Sequence, residues 1–123
     1  MVIGVLKETF PGETRVALVP QSIAKLTKSG LEVLVEKDAG KLALFPDSEY
    51  EKAGCTIINS VKDLYSSSDL VIKVRNPEFN SNLECHEIDL MKEESTLVSP
   101  LLPEVNLDTV KKLANKKISA FSL

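Results

Sequence analysis

The chain has 123 residues, 43% of them apolar and 27% charged, with a formal net charge of −3. That length suits one domain, which buries roughly two thirds of the surface its unfolded chain exposes, and the balance excludes wholesale disorder. The small negative charge leaves no basic footprint for nucleic acid, and no apolar run approaches the roughly 18 residues of a membrane-spanning helix.

Taken in chain order, residues 2–6 form a short apolar burst that predicts a strand. Met1-Val2-Ile3-Gly4-Val5-Leu6 is too short for a signal peptide and lacks a basic lead-in. With no Arg-rich transit segment either, the expected location is the cytoplasm. A charged loop follows, and residues 21–29 predict a helix that stops at Gly30, a typical C′ residue. Residues 32–36 predict a second strand. Residues 47–53 predict a helix with an acidic first turn and Gly54 as its stop. A third strand is expected over 56–58, a short helix over 60–65 and a fourth strand over 70–74. Residues 76–81 are the most loop-like stretch, and 83–91 read as loop that admits one helical turn. A fifth strand is predicted over 96–99. Residues 106–115 give the clearest helix, with Asn106 as cap and Leu107, Val110, Leu113 and Ala114 on one face. A sixth strand is predicted over 118–122.

The short runs are rich in Val, Ile and Leu and read as strands buried on both faces. Strands that alternate with helices predict an α/β domain: a three-layer, flavodoxin-like or Rossmann-like parallel sheet with helices on both faces. Ligands in such sheets bind at the carboxyl ends of the strands.

Several chemistries are missing. Gly4, Gly12, Gly30, Gly40 and Gly54 are widely spaced, so no G-x-G-x-x-G exists to bring backbone close to a pyrophosphate. There is no Walker motif and no G-x-S-x-G. Cys55 and Cys85 form no CxxC; Cys55 reads as a small core filler. Cys85 and His86 are neighbours, and adjacent side chains rarely converge on one point, so they read as a solvated surface pair. No metal site is expected.

The positive signal is the loop after the first strand, Lys7-Glu8-Thr9-Phe10-Pro11-Gly12-Glu13-Thr14-Arg15-Val16-Ala17. Arg15 offers a planar fork of donors suited to a carboxylate. The fourth strand exits through Lys73 and Arg75, and strand alternation predicts both on one side. Together Arg15, Lys73 and Arg75 are candidates for an anion-friendly mouth. The residues leave a second reading open: Arg15 pairs with Glu8 or Glu13, and the other two cations are solvated or structural.

The opening Met1-Val2-Ile3-Gly4-Val5, with Lys7-Glu8-Thr9 and Glu13-Thr14-Arg15-Val16-Ala17, resembles alanine dehydrogenases and the alpha subunits of proton-translocating NAD(P) transhydrogenases. Val19-Pro20, the helix ending at Gly30, Glu32-Val33-Leu34-Val35-Glu36, Ala39-Gly40, Tyr50, Ala53-Gly54, Lys73-Val74 and Pro77 extend the resemblance over essentially the whole chain. Three features lean toward the transhydrogenase branch. Arg75 stands where alanine dehydrogenases carry a substrate-contacting lysine. Leu101-Leu102-Pro103 stands where they carry a catalytic histidine, the acid–base group that interconversion of amine and ketone needs. Lys41-Leu42-Ala43-Leu44-Phe45-Pro46-Asp47 is similar to the transhydrogenase form of its turn.

The resemblance implies hydride transfer between NADH and NADP coupled to proton movement. This segment would belong to the NAD(H)-binding component, which dimerises, lies peripheral to the inner membrane and docks on membrane and NADP-binding components. Arg15 matches the arginine that holds a substrate carboxylate in alanine dehydrogenases. The family's nicotinamide-contacting loop and glycine-rich dinucleotide fold follow residue 123, so the NAD(H) site is expected outside this chain. Leu123 ends at the lip of a core strand, and the chain is expected to be the N-terminal domain, residues 1–123, of a longer protein, inactive alone. Two alternatives stay open: the N-terminal domain of an alanine- or saccharopine-type dehydrogenase, and a stand-alone module that binds a small carboxylate or a protein.

Overall fold

A computed structural model describes residues 1–123. The elements in chain order are β1 (Val2–Val5), α1 (Pro20–Lys28), β2 (Glu32–Glu36), a 3-10 turn (Lys41–Ala43), α2 (Asp47–Lys52), β3 (Thr56–Ile58), α3 (Val61–Ser67), β4 (Leu70–Ile72), β5 (Phe79–Asn80), β6 (Cys85–His86), α4 (Glu87–Leu90), β7 (Thr96–Ser99), α5 (Leu107–Asn115) and β8 (Ser119–Ser122). Six strands form one sheet in the order β3-β2-β1-β4-β7-β8, and every pairing in it is parallel. With the hairpin β5-β6 set aside, this is the 3-2-1-4-5-6 order of a Rossmann sheet rather than the flavodoxin order.

Two cores sandwich the sheet. On one face Ile3, Val5, Val33 and Val35 pack with Ile23 of α1 and Tyr50 of α2. On the other, Leu6, Leu34, Val71 and Leu97 pack with Leu64 and Tyr65 of α3, Ile88 of α4 and Leu113 of α5. Alternation along the central strands sends successive side chains to opposite cores. Gly4 lets α3 approach β1: a Cβ there would run into Ser68 Oγ and lie 3.3 Å from Leu64 Cδ2. Gly4→Ala is therefore expected to cost about 1–3 kcal/mol through overpacking, read as a lower urea midpoint with unchanged slope.

Local chemistry sets the ends. Pro20 opens α1 at a position whose N–H has no helical partner anyway. Gly30 and Gly54 follow α1 and α2 at φ 89° and 95°. Ser60 caps α3 by accepting from the Asp63 amide at 3.2 Å.

Four expectations need correction. Burial on both faces fails at the sheet edges: β8 is exposed along its length, and Thr56 of β3 is exposed. Both are edge strands, each paired on one side only. Residues 76–81 are not all loop, because β5 pairs antiparallel with β6. Asn80 Oδ1 accepts from the amides of Asn82 and Leu83, which makes the tight turn. Asn106 does not cap α5. Its side chain instead donates to the Leu101 carbonyl at 2.9 Å, and Leu107 and Ala114 face solvent while Thr109 and Leu113 are buried. Finally, β4 ends at Ile72, two residues early. The Lys73 amide still bonds the Val98 carbonyl, but the next two amides turn to Glu8.

Candidate functional site

The sheet reverses its order between β1 and β4, and their carboxyl ends open into the loops that begin at Lys7 and Lys73. A crevice at such a switch point is where ligands bind in open α/β sheets. The Lys7 amide donates to Glu36 Oε2 at 2.7 Å, tying the β1 loop to the end of β2. Glu8 then folds inward: Oε1 accepts from the Val74 amide at 2.7 Å and Oε2 from Lys73 Nζ at 3.2 Å. Lys73 Nζ also donates to Glu87 Oε1 at 3.2 Å, and Glu87 Oε2 accepts from the Glu78 amide at 2.9 Å.

Three charged side chains are thus buried together, with exposures of 2%, 3% and 6% for Lys73, Glu8 and Glu87. Charges survive there because each makes more than one charge-assisted bond. Burial raises the Glu36 carboxyl above its ordinary pKa, against the pull of the Lys7 amide. The Tyr65 hydroxyl, deep in the same region, is raised well above its ordinary value by burial and by the Glu87 and Glu36 charges.

Arg15 and Arg75 lie outside this buried triad. Arg15 pairs with Glu13 at 2.6 Å, and Arg75 lies over the Phe10 ring at 3.6 Å with Nη1 3.9 Å from Glu13. A cavity of ≈ 460 Å³ opens beside them, between the β1 loop, Glu36, Val61 and the hairpin turn at Asn80, Asn82 and Leu83. Its charged lining is Glu8, Glu13 and Glu36 against Lys7 alone.

Strand alternation predicts Lys73 and Arg75 on one side, but the two go to separate partners, Lys73 to Glu8 and Glu87 and Arg75 to the Phe10 ring. The strand ends before them, and Glu8 captures the backbone of the turn. Nor do Arg15, Lys73 and Arg75 converge on open space, because each finds a carboxylate or a ring of its own chain. Glu8 and Glu13 stand in the loop that the sequence singles out. Glu87 carries no local signal, since its partner is 14 residues away and on another element.

Elsewhere, Cys55 is a buried free thiol whose pKa burial pushes up to about 11, so it is inert packing. Cys85 and His86 are half-buried in β6 rather than solvated. His86 Nδ1 accepts from the Ile88 amide at 3.2 Å and caps α4. No group of three His, Cys, Asp or Glu side chains is arranged to hold a metal ion.

Burial, joined by the Lys112 charge, lowers the His86 pKa below 6.5, although Asp89 and Glu87 oppose it. The fold thus prefers the neutral ring, so the unfolded chain takes up the proton first. His86 then supports stability fully above pH 6.5 and less as pH falls from 6.5 to its depressed folded value. His86→Asn keeps an acceptor at the cap, and its melting temperature is expected to fall less than that of the unaltered chain over that interval.

Residues 4–123 match the family model described as "Alanine dehydrogenase/PNT, N-terminal domain". The chain belongs to this family. Among the members of the alanine dehydrogenase/PNT family, an NAD(P) transhydrogenase alpha-subunit polypeptide of Rhodospirillum rubrum is 36% identical over 123 residues, covering 100% of this chain and 32% of that protein. A solved transhydrogenase structure from Sinorhizobium meliloti superposes with a TM-score of 0.87 at 30% identity, over 99% of this chain and 34% of the other. An L-alanine dehydrogenase structure gives 0.88 at 33% identity, over 99% and 32%. The chain spans about a third of the length of these relatives. The chain therefore has the α/β fold expected. The superpositions do not separate the two branches.

Proposed function

We propose that residues 1–123 are the N-terminal domain of the NAD(H)-binding component of a proton-translocating NAD(P) transhydrogenase, which moves hydride between NADH and NADP. The carrying observation is the exit of β7. There Leu102 projects, 55% exposed at φ 48°, and the polar side chains at Leu101 are committed to backbone, Asn106 to the Leu101 carbonyl and Ser122 Oγ to the Leu101 amide. His86, the single histidine, is engaged as the α4 cap. Amine–ketone chemistry needs an acid–base group at the reacting carbon; hydride transfer between two nicotinamides moves no proton at the reacting carbons and has no such need.

In this reading the domain forms one wall of a cleft whose NAD(H) site is carried by the rest of the protein, and the 123-residue chain is inactive alone. The protein works on the cytoplasmic side as a homodimer, peripheral to the inner membrane through its membrane and NADP-binding partner components. No helix of the chain is long and apolar enough to cross a membrane. Around the carboxyl ends of β7 and β8, Leu102, Val105, Leu107, Phe121 and Leu123 are all more than half exposed. Such a patch suits a neighbouring domain, and the isolated chain is expected to bind a hydrophobic dye that the longer protein excludes.

The test is the longer protein, assembled with its membrane and NADP-binding partners. It should reduce an NADP analogue at the expense of NADH without consuming alanine. Tight NADH binding by the 123-residue chain would sink the placement of the site. A second reading, an alanine-type dehydrogenase, draws on the 0.88 superposition with L-alanine dehydrogenase. NAD-dependent alanine oxidation by the longer protein would establish it instead.

A further inference from the structure

Around the carboxyl ends of β1 and β2, three carboxylates share one buried ammonium. Glu8 and Glu87 each take a bond from Lys73 Nζ at 3.2 Å, and each also accepts from a backbone amide, of Val74 at 2.7 Å and of Glu78 at 2.9 Å. Glu36, half-buried at the end of β2, is the third. It accepts from the Lys7 amide at 2.7 Å and makes no ion pair.

Fully ionised, the three would set three negative charges against Lys73 alone. The carboxylate with the fewest donors is the one that keeps a proton at least cost. That is Glu36. Glu87 on α4 repels its charge, and the Tyr65 hydroxyl on α3 is buried without a hydrogen-bond partner of its own. Glu8 and Glu13 of the β1 loop line the same cavity and add negative charge. Lys7 of that loop and Lys73 after β4 favour the ionised form, but burial outweighs both.

The bond to Lys7 gives this proton a mechanical consequence, because it joins the β1 loop to the end of β2. Glu36 lines the cavity of ≈ 460 Å³ together with the Lys7 side chain. Rotation of the Glu36 side chain therefore exchanges the amide for water and the Lys7 ammonium. The neutral acid gains little by that exchange, since its carbonyl oxygen already holds the amide. The carboxylate recovers its hydration, which one amide does not replace.

We propose that Glu36 is a proton-operated clasp on the β1 loop: with its proton it holds the Lys7 amide, and without it the carboxylate swings into the cavity and releases the loop. The proton leaves to water through the cavity mouth. Because the folded chain holds this proton more tightly than the unfolded chain, the clasp stabilises the fold fully below pH 4.5 and loses its contribution as pH rises through the higher folded value. The clasp stands apart from the hydride-transfer reading, and its failure leaves that reading untouched.

NMR of the 123-residue chain along an acid-to-alkaline pH series tests both halves. The Glu36 carboxyl carbon should titrate with a midpoint above 4.5. Over the same interval the Lys7 amide should lose about fivefold in hydrogen-exchange protection relative to its intrinsic rate, the worth of one hydrogen bond. The Leu34 amide, at the centre of β2 and paired on both sides, should stay level. Glu36→Gln keeps a carbonyl acceptor and cannot titrate, so Lys7 should stay protected at every pH. The proposal is overturned if Glu36 titrates at or below 4.5, if Lys7 protection does not follow that titration, or if folded E36Q keeps the pH dependence. The first two readouts need no variant to fold.

Discussion

Lys73→Met is expected to cost about 3–5 kcal/mol, a large share of the 5–15 kcal/mol by which a domain of this kind is stable. Lys73 is 2% exposed in its side chain and is the cation that Glu8 and Glu87 both engage, so its loss leaves two carboxylates buried without it. Those carboxylates cannot turn to water, because each is also bonded to a backbone amide, Glu8 to Val74 and Glu87 to Glu78. Removal of one partner from a buried ionic group costs far more than removal of the whole group. The triple variant K73M/E8Q/E87Q keeps an acceptor for both amides and removes every charge, so it should recover most of the loss. Urea unfolding of the single and triple variants, compared at equal slope, checks this. A single variant within about 1 kcal/mol of the unaltered chain, the range of an exposed ion pair, would show that the triad is more solvated than its geometry indicates.

Tyr50→Ala carries a comparable expectation, about 3–5 kcal/mol for a fully buried aromatic side chain. Tyr50 of α2 is 0% exposed and donates to the Leu18 carbonyl at 2.9 Å, so it pins the end of the β1 loop to the α2 side of the sheet. Its ring also fills the space left by Gly40, where a Cβ would come within 2.6 Å of the ring. Tyr50→Phe keeps the ring and should cost about 1–2 kcal/mol, the cost of a lost hydrogen bond with its acceptor left unpaired. Burial pushes the Tyr50 hydroxyl up to about 12 from 10. Its contribution is therefore complete below pH 10 and is lost as pH rises from 10 to 12. Y50F should remove its share of that alkaline loss, and melts along a pH series read it directly.

Much of the architecture was legible in the chain order. Short Val- and Ile-rich runs such as Val33-Leu34-Val35 are buried from both sides, and that composition is hard to reconcile with anything but the middle of a parallel sheet. The stops at Gly30 and Gly54 were legible too, because a positive φ is cheapest for glycine. Asn106 misled for a physical reason. An Asn before an apolar face has the composition of a cap, but the Leu101 carbonyl, presented by the turn after β7, took its side chain. The candidate site was legible only as a location. Arg15, Lys73 and Arg75 lie at the switch point, but nothing in their neighbours in sequence reveals that Glu87 supplies one partner of Lys73.

What the sequence determined by itself is what periodicity and backbone preference decide locally: six strands, their helices, the turns at glycine, and the charged loop after β1. Tertiary structure alone decided which charges meet. Glu8 and Lys73 are 65 residues apart, and the pairing of β1 with β4 brings their side chains together. Once buried, Lys73 must satisfy its charge inside the protein, so Glu8 and Glu87 fold toward it and the strand ends where Glu8 takes the next amides. Near the surface Arg15, under no such demand, closes on the carboxylate two residues away. Burial, which no local pattern encodes for a single lysine, separates the two outcomes.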